Sequence, residues 1–195
     1  MKKRFYFALL LLFGASLTTN AQIWTIDKAH AKLGFSVTHM MVSDVEGSFK
    51  TFDAKMTSSK EDFSDAVIEL TADVNSVSTD NDRRDAHLKS ADFFDAARYP
   101  AIIFKSKSFQ KIEGKKYKLS GELTMHGITK AVDLDVVFNG MAVAPGGDNK
   151  KIAGFKVTGT IKRTDFGLAV STPEAMLGNN VQLLANAEFD STVEP

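Results

Sequence analysis

The sequence predicts an all-β domain of about eight antiparallel strands, each with one apolar face, and a single short helix set among them. Three observations carry this. Apolar and polar residues alternate with a period of two in six separate segments. The connections are rich in turn residues, at His126-Gly127, at Gly114 and across residues 145–149. Helical spacing is confined to residues 78–95, with a weaker trace near 173–177. A sheet of that many one-faced strands cannot lie open in water. It must close into a barrel or split into a sandwich.

The chain opens with Lys2, Lys3 and Arg4, an apolar run over residues 5–13, and small and polar residues ending in Thr19-Asn20-Ala21. This is the pattern of a cleaved secretory signal peptide, and the apolar run is too short for a comfortable membrane span. Residues 1–21 are therefore expected to be removed, leaving one domain over 22–195 in the periplasm. The full chain has 24 basic and 24 acidic residues, and the leader holds three of the basic ones, so the mature chain carries 21 against 24, a formal charge of −3. With no long basic run, it lacks the electrostatic footprint of a nucleic-acid binder. It has no Cys, so disulfides, thiol chemistry and lipoprotein acylation are excluded.

The mature chain then reads strand by strand. A strand is expected at 23–27. In the next segment Leu33, Phe35, Val37 and His39 share a face. Residues 45–56 read as a strand whose phase slips between Phe49 and Phe52, the mark of a bulge or strong coiling. Ile68, Leu70, Ala72 and Val74 form the next face, and a further strand follows at 101–109. Tyr117, Leu119, Leu123 and Met125 share a face, as do Val132, Leu134, Val136 and Phe138. Phe155, Val157 and Ile161 form another, with Arg163 in phase. The last face is Val181, Leu183, Ala185, Ala187 and Phe189. These faces either fill a solid core or line a pore.

The densest chemistry lies in residues 78–95, STDNDRRDAHLKSADFFD. Thr79 with Asp82 three residues on reads as a capping box for a helix reaching Ala91. Leu88 and Ala91 mark its buried side, Arg84 and His87 flank that side, and Asp85 and Lys89 form an i,i+4 pair facing water. Phe93 and Phe94 can plug apolar space beneath. The helix is then a short lid. Its charges are a catalytic cluster, an anion-binding site, or ties that hold a barrel shut.

The polar groups divide in the same way. Arg84 can clamp a phosphate or quinone oxygen, or pair with an acid of the barrel. Arg163 faces a mouth, or a carboxylate such as Asp165 or Asp85. His39 either ends a pore or is a hydrogen-bonded structural residue, and His126 lies out of phase with the apolar face. The four His, at 30, 39, 87 and 126, show no HxxxH pattern and no pair on one strand face, so no metal site is assigned. No Gly-flanked Ser nucleophile stands out. No catalytic residue and no cofactor is assigned. An enzyme using Arg84, Asp85 and His87 is one alternative, and an interaction module with a filled core is another.

Five stretches carry a more specific signal: residues 26–40 (IDKAHAKLGFSVTHM), 47–49 (GSF), 84–106 (RDAHLKSADFFDAARYPAIIFKS), 121–130 (GELTMHGITK) and 163–167 (RTDFG). In this order, and across the whole mature chain, they resemble the YceI-like family of periplasmic polyisoprenoid-binding proteins. The family opens with Asp, two residues, His and Ser. Asp27 and His30 match, whereas Ala31 stands in place of the Ser, and no role is put on position 31. The resemblance implies a lipocalin-like barrel of about eight strands around an elongated apolar pore, with a lid helix. It further implies a homodimer and a bound isoprenoid lipid or quinone-like ligand, held by a carrier, scavenger or stress-protective protein rather than an enzyme. On that reading the pore is lined by Phe35, Val37, Ile68, Leu70, Leu119, Leu123, Met125, Leu134, Val136, Phe138, Phe155, Val157 and Ile161. His39, Arg84, His87, Phe94 and Arg163 stand at its mouth, and a transient contact with a membrane surface is compatible with it.

Magnitudes restrict how such a pore captures its ligand. An eight-unit prenyl chain has about forty carbons, and at ~0.8 kcal/mol per carbon its transfer from water is nominally ~30 kcal/mol. That exceeds the practical ceiling of ~18–21 kcal/mol for a non-covalent complex. The real competitor is a bilayer, whose interior is as apolar as a Leu-lined pore. The tail contribution therefore nearly cancels, and net capture falls to pore shape and a polar anchor for the head.

Overall fold

The apolar side of each alternating segment needs a partner, and the chain supplies it by closing the sheet on itself. The computed structural model describes residues 21–145 and 149–192. The expected leader, apart from Ala21, and the centre of the expected 145–149 turn lie outside the described residues. Among those described, eleven strand segments build the sheet: β1 (Gln22–Ile26), β2 (Lys32–His39), β3 (Ser43–Phe49), β4 (Phe52–Ser58), β5 (Val67–Asp73), β6 (Val77–Ser78), β7 (Ala101–Glu113), β8 (Lys116–Met125), β9 (Ile128–Val143), β10 (Lys151–Lys162) and β11 (Leu177–Ser191).

The eleven segments make eight staves. Strand β11 pairs along its length first with β2 (Leu183↔Phe35) and then with β1 (Ile26↔Phe189), so β1 and β2 are one stave bent at residues 27–31. Strands β3 and β4 follow them on the other side, through Leu33↔Phe49 and Thr25↔Lys55. Strand β5 continues into the short β6 through a 3-10 turn at Val74–Ser76. Strands β7 to β11 are one stave each, and the pairing of β11 with β1 closes an antiparallel eight-stave barrel. The phase slip expected within 45–56 falls on the break between β3 and β4. There Lys50 and Thr51 leave the ladder and donate their N–H groups to Ser76 O and Ser76 Oγ, so the alternation restarts at Phe52.

The two ends of the barrel differ. At one end the loop after β4 folds inward and delivers Phe63, which is 1% exposed. Its ring packs edge-on against Trp24, Phe138 and Phe155, with centroids 5.2–5.4 Å away. Hydrogen bonds hold this loop in place. Tyr117 donates to Asp62 O at 2.7 Å, and Asp65 accepts from Ser58 Oγ at 2.5 Å and from Ser59 N at 3.0 Å. Burial opposes ionisation of Asp65, but the bonds from Ser58, Ser59 and Lys60 outweigh it and hold its pKa well below the usual range. At the other end stand the β2–β3 turn, the 79–100 segment, the His126-Gly127 turn and the 163–176 loop.

The lid helix α1 runs over Asp82–Lys89, two residues short of the expected end, and Ser90 closes it by hydrogen bonds to His87 O. Its N-cap is Asn81, whose side chain accepts from Arg84 N at 3.0 Å; Thr79 is not the cap. Thr79 instead donates its N–H (2.8 Å) and hydroxyl (2.5 Å) to Asp85 Oδ1. Asp85 is thereby buried at 9% exposure and does not form the solvent-facing pair with Lys89. A carboxylate one turn into a helix can reach back to the donors of the incoming chain, and here that outweighs an exposed ion pair worth a few tenths of a kcal/mol.

Polar pairs cross the outer surface of the barrel, with single exposed apolar residues such as Val137 and Val143 between them. Lys118 meets Asp135 and Ser120 meets Asp133 across β8 and β9, and Thr160 meets Gln182 across β10 and β11. This is a water-facing sheet, not the apolar band of a membrane barrel. Among the described residues no helix is long and apolar enough to cross a membrane.

Candidate functional site

The inner faces of the staves do not meet at the centre. They enclose a cavity of about 880 Å³ that is floored by the aromatic cluster around Phe63 and reaches the mouth at the α1 end. A filled core is therefore not what the barrel holds. Twelve of the residues expected to line a pore stand on its wall: Phe35, Val37, Ile68, Leu70, Leu119, Leu123, Met125, Leu134, Val136, Phe155, Val157 and Ile161. Phe138 does not. It lies in the floor, packed between Phe63 and Phe155, one inward position along β9 beyond Val136 and opposite Phe155.

Other wall residues escaped the sequence reading. Phe104 and Phe109 both face the lumen, but a register shift between Ser106 and Ser108 breaks their alternation. Val181, Leu183 and Ala187 also line it. They were legible as one apolar face of a strand, with nothing to show that the face met a void.

Two inward-facing glycines preserve the width of the lumen. A Cβ on Gly47 would stand 2.3 Å from Phe35 Cζ, and one on Gly159 would stand 2.4 Å from Leu134 Cδ2. The Phe35 ring and the Leu134 side chain thus lie flat over bare backbone on the neighbouring strand. A larger residue beneath either would push it into the lumen.

At the mouth, Arg84 is the best-positioned polar group. Its Nε donates to Thr79 Oγ1 at 2.7 Å and its Nη2 to Thr79 O at 2.8 Å. Thr79 Oγ1 in turn donates to Asp85, so one threonine orients both charged side chains. Among the described residues no carboxylate lies within ion-pair distance of Arg84, and its Nη1 makes no hydrogen bond. The helix therefore places a half-buried guanidinium on the cavity wall with donors to spare.

The remaining mouth residues separate. His87 lies on the rim with its side chain 59% exposed; its Nε2 is 3.3 Å from Asp92 Oδ2 and its ring stands edge-on to Phe93. His39 is exposed at the end of β2 and also borders the opening. Phe94 is buried under α1, edge-on to Phe49 at 5.7 Å. Arg84, Asp85 and His87 do not converge on a common point: Asp85 is turned inward onto Thr79 while His87 faces outward.

Arg163 is not available to a ligand head group, and it pairs with neither Asp165 nor Asp85. It is 3% exposed, and its guanidinium donates only to backbone carbonyls. Nε bonds to Gly178 O, Nη1 to Leu168 O and Ala169 O, and Nη2 to Thr172 O and Leu177 O, at 2.5–3.2 Å. Burial lowers its pKa, with Glu174 opposing the shift. These carbonyls come from the irregular 163–176 loop and from the start of β11, where pairing with β2 is interrupted after Leu177, and the arginine fork satisfies them. His126 is likewise structural, its Nδ1 3.0 Å from Phe166 O.

Among the described residues one trio could hold a metal ion, Asp27, His30 and Glu188, on the outer surface at the β1–β2 bend. Its members are already engaged. Asp27 accepts from Ala29 N at 2.9 Å and pairs with His30 Nδ1 at 2.7 Å, and Glu188 Oε1 lies 3.8 Å from the same nitrogen.

The profile of the YceI-like domain matches residues 24–189 of this chain. A UPF0312 protein of Staphylococcus aureus (strain bovine RF122 / ET3-1) is 41% identical over 170 residues, spanning 85% of this chain and 96% of that one. The crystal structure of the Campylobacter jejuni YCEI protein is 37% identical and superposes with a TM-score of 0.70, covering 86% of this chain and 96% of that one. A polyisoprenoid binding domain from Saccharophagus degradans shares the fold, with a TM-score of 0.65 at 15% identity, over 87% of this chain and 98% of its own.

Proposed function

This chain belongs to the YceI-like domain family, and on that premise we propose that it carries an isoprenoid lipid, a polyprenyl or quinone-like chain, with the tail in the lumen and the polar head at Arg84. The observation that carries the proposal is the lumen itself. It is long, apolar, closed at the floor and reached from the mouth, as a slender hydrocarbon requires. The ligand named for the Saccharophagus domain agrees with this chemistry. At roughly 30 Å³ per carbon, taking a methylene as about the size of a water molecule's share of liquid, the cavity of about 880 Å³ holds about thirty carbons. That is about six prenyl units, and a longer tail would extend through the mouth.

The arrangement favours a binding protein over an enzyme. Arg84, Asp85 and His87 share no point where a reacting atom could meet all three, and Asp85 is committed to Thr79. Neither the family's description nor that of the Saccharophagus binding domain names a catalytic activity. We further place the mature protein in the periplasm, exported by the leader, as a carrier, scavenger or stress-protective protein that forms a homodimer. The proposal is tested by denaturing protein purified from its native host, extracting it with organic solvent and identifying lipids by mass spectrometry. A stoichiometric prenyl lipid is expected. Lipid-free protein that also takes up none from vesicles would overturn the proposal.

A further inference from the structure

Resting on that reading of the lumen, we propose that the β2–β3 turn and the 163–176 loop form an apolar rim that docks the mouth on a lipid bilayer. At the turn, Met40, Met41 and Val42 are 55%, 76% and 82% exposed. Both methionines have left-handed backbones, with φ of 51° and 58°. Two successive positive-φ positions at a hairpin tip suit Asn and Gly, which adopt them at little cost. This chain instead places two bulky side chains there, and with that exposure little packing against its own fold offsets the strain.

The turn is continuous with the opening. Met40 N donates to Met176 O at 3.0 Å. Met176 (55% exposed) and Val170 (64% exposed) belong to the loop that borders the lumen. The exposed patch therefore runs directly into the apolar wall.

The occupant follows from the cargo. A prenyl tail cannot cross water at a useful rate, since every carbon exposed on the way raises the barrier. Exchange requires bilayer and lumen to touch, and the apolar surface at the lumen mouth is where they can. Acidic Asp44, Asp92 and Glu174 share this end with basic Arg83, Arg84 and Lys89, so its charge is mixed, the contact rests on the apolar residues, and anionic lipid is not required.

The test uses mature protein and phosphatidylcholine vesicles, floated on a density gradient. The variant is Met40→Asn/Met41→Gly, which fits the turn better and should raise thermal stability. Wild type should float with vesicles, with no more than a twofold gain when anionic lipid is added. The variant should float at least tenfold less, and should exchange a prenyl lipid with donor vesicles at least tenfold more slowly. Equal flotation of variant and wild type would overturn the proposal. So would a wild type that does not float and whose dimer is lost in the variant, which would make the patch a subunit contact. If wild type floats and the variant does not, yet neither yields extractable prenyl lipid, docking stands and the lipid-carrier reading fails. If both yield the same lipid and float equally, carriage stands and docking fails.

Discussion

Replacing Arg84 by Met separates anchoring from scaffolding, because among the described residues this arginine bonds to Thr79 and has no acid partner. The substitution keeps an apolar stem of similar length and removes the guanidinium. On the folding side it deletes the bonds to Thr79 Oγ1 and Thr79 O. Asp85 keeps both of its Thr79 donors, so no buried carboxylate is stranded. The expected loss of stability is about 1.5–3 kcal/mol, the range for hydrogen bonds to a charged group, and below the ~3–5 kcal/mol of a broken buried ion pair. On the binding side, the tail contribution nearly cancels against a bilayer, so losing one charge-assisted contact to the head, worth ~1.5–3 kcal/mol, should weaken capture roughly tenfold to a hundredfold. Urea unfolding gives the first quantity, and competition against vesicles carrying a prenyl lipid gives the second. Capture unchanged alongside a stability loss above ~3 kcal/mol would refute the anchor and leave Arg84 a structural tie.

Further expectations follow from the same geometry. Arg163→Met leaves five backbone carbonyls, three in the 163–176 loop and two at the start of β11, without their donor and should cost ~3–5 kcal/mol or more by urea unfolding; a loss under 1 kcal/mol would contradict its role as the staple of that loop. Phe63→Ala removes the centre of the floor, so stability should fall by ~3–5 kcal/mol and the co-purifying lipid should shift to longer chains by mass spectrometry. The His30–Asp27 pair should give a pH signature. The hydrogen bond from Asp27 raises the His30 pKa above its ordinary 6.5, and the same bond lowers the Asp27 pKa below its ordinary 3.8. The His30 contribution is complete below 6.5 and is lost as pH rises through its folded-state value. The Asp27 contribution is present above 3.8 and is lost as pH falls through its own. The wild-type urea midpoint should therefore decline as pH rises above 6.5, and His30→Gln should flatten that decline; parallel curves would exclude the pair as its source.

The barrel was legible in the sequence because period-two alternation states which side of a strand is buried, and eight one-faced staves have few ways to hide that side. The interior was less legible. Gly121 kept Leu119 and Leu123 in phase, whereas the shift between Ser106 and Ser108 hid Phe109. Phe63, which floors the lumen, stands in a loop among Lys60, Glu61, Asp62 and Asp65, where no periodicity exists to mark it. Arg163 was in phase with an apolar face, which pointed to a pore mouth or a carboxylate partner, and the structure gives it neither. The carbonyls that consume it come from the start of β11 and from an irregular loop whose path no local pattern encodes. Thr79 was recognised as the start of the lid by its residue type, but Asn81 took the cap, leaving Thr79 to organise Arg84 and Asp85. Local propensity names the residues able to make such bonds, and tertiary geometry selects among them.

The central claim is that a prenyl tail occupies the lumen with its head at Arg84, and photo-crosslinking tests it most directly. Two prenyl analogues are needed, one with a diazirine at the tail end and one beside the head, each irradiated with delipidated protein and mapped by peptide mass spectrometry. The tail probe should label wall residues near the floor, such as Phe109, Phe155 and Phe189, and the head probe should label the rim around Arg84, His87 and Phe93, with unlabelled prenyl lipid suppressing both. Labelling confined to the outer faces of the staves, or labelling that unlabelled lipid does not suppress, would contradict the account.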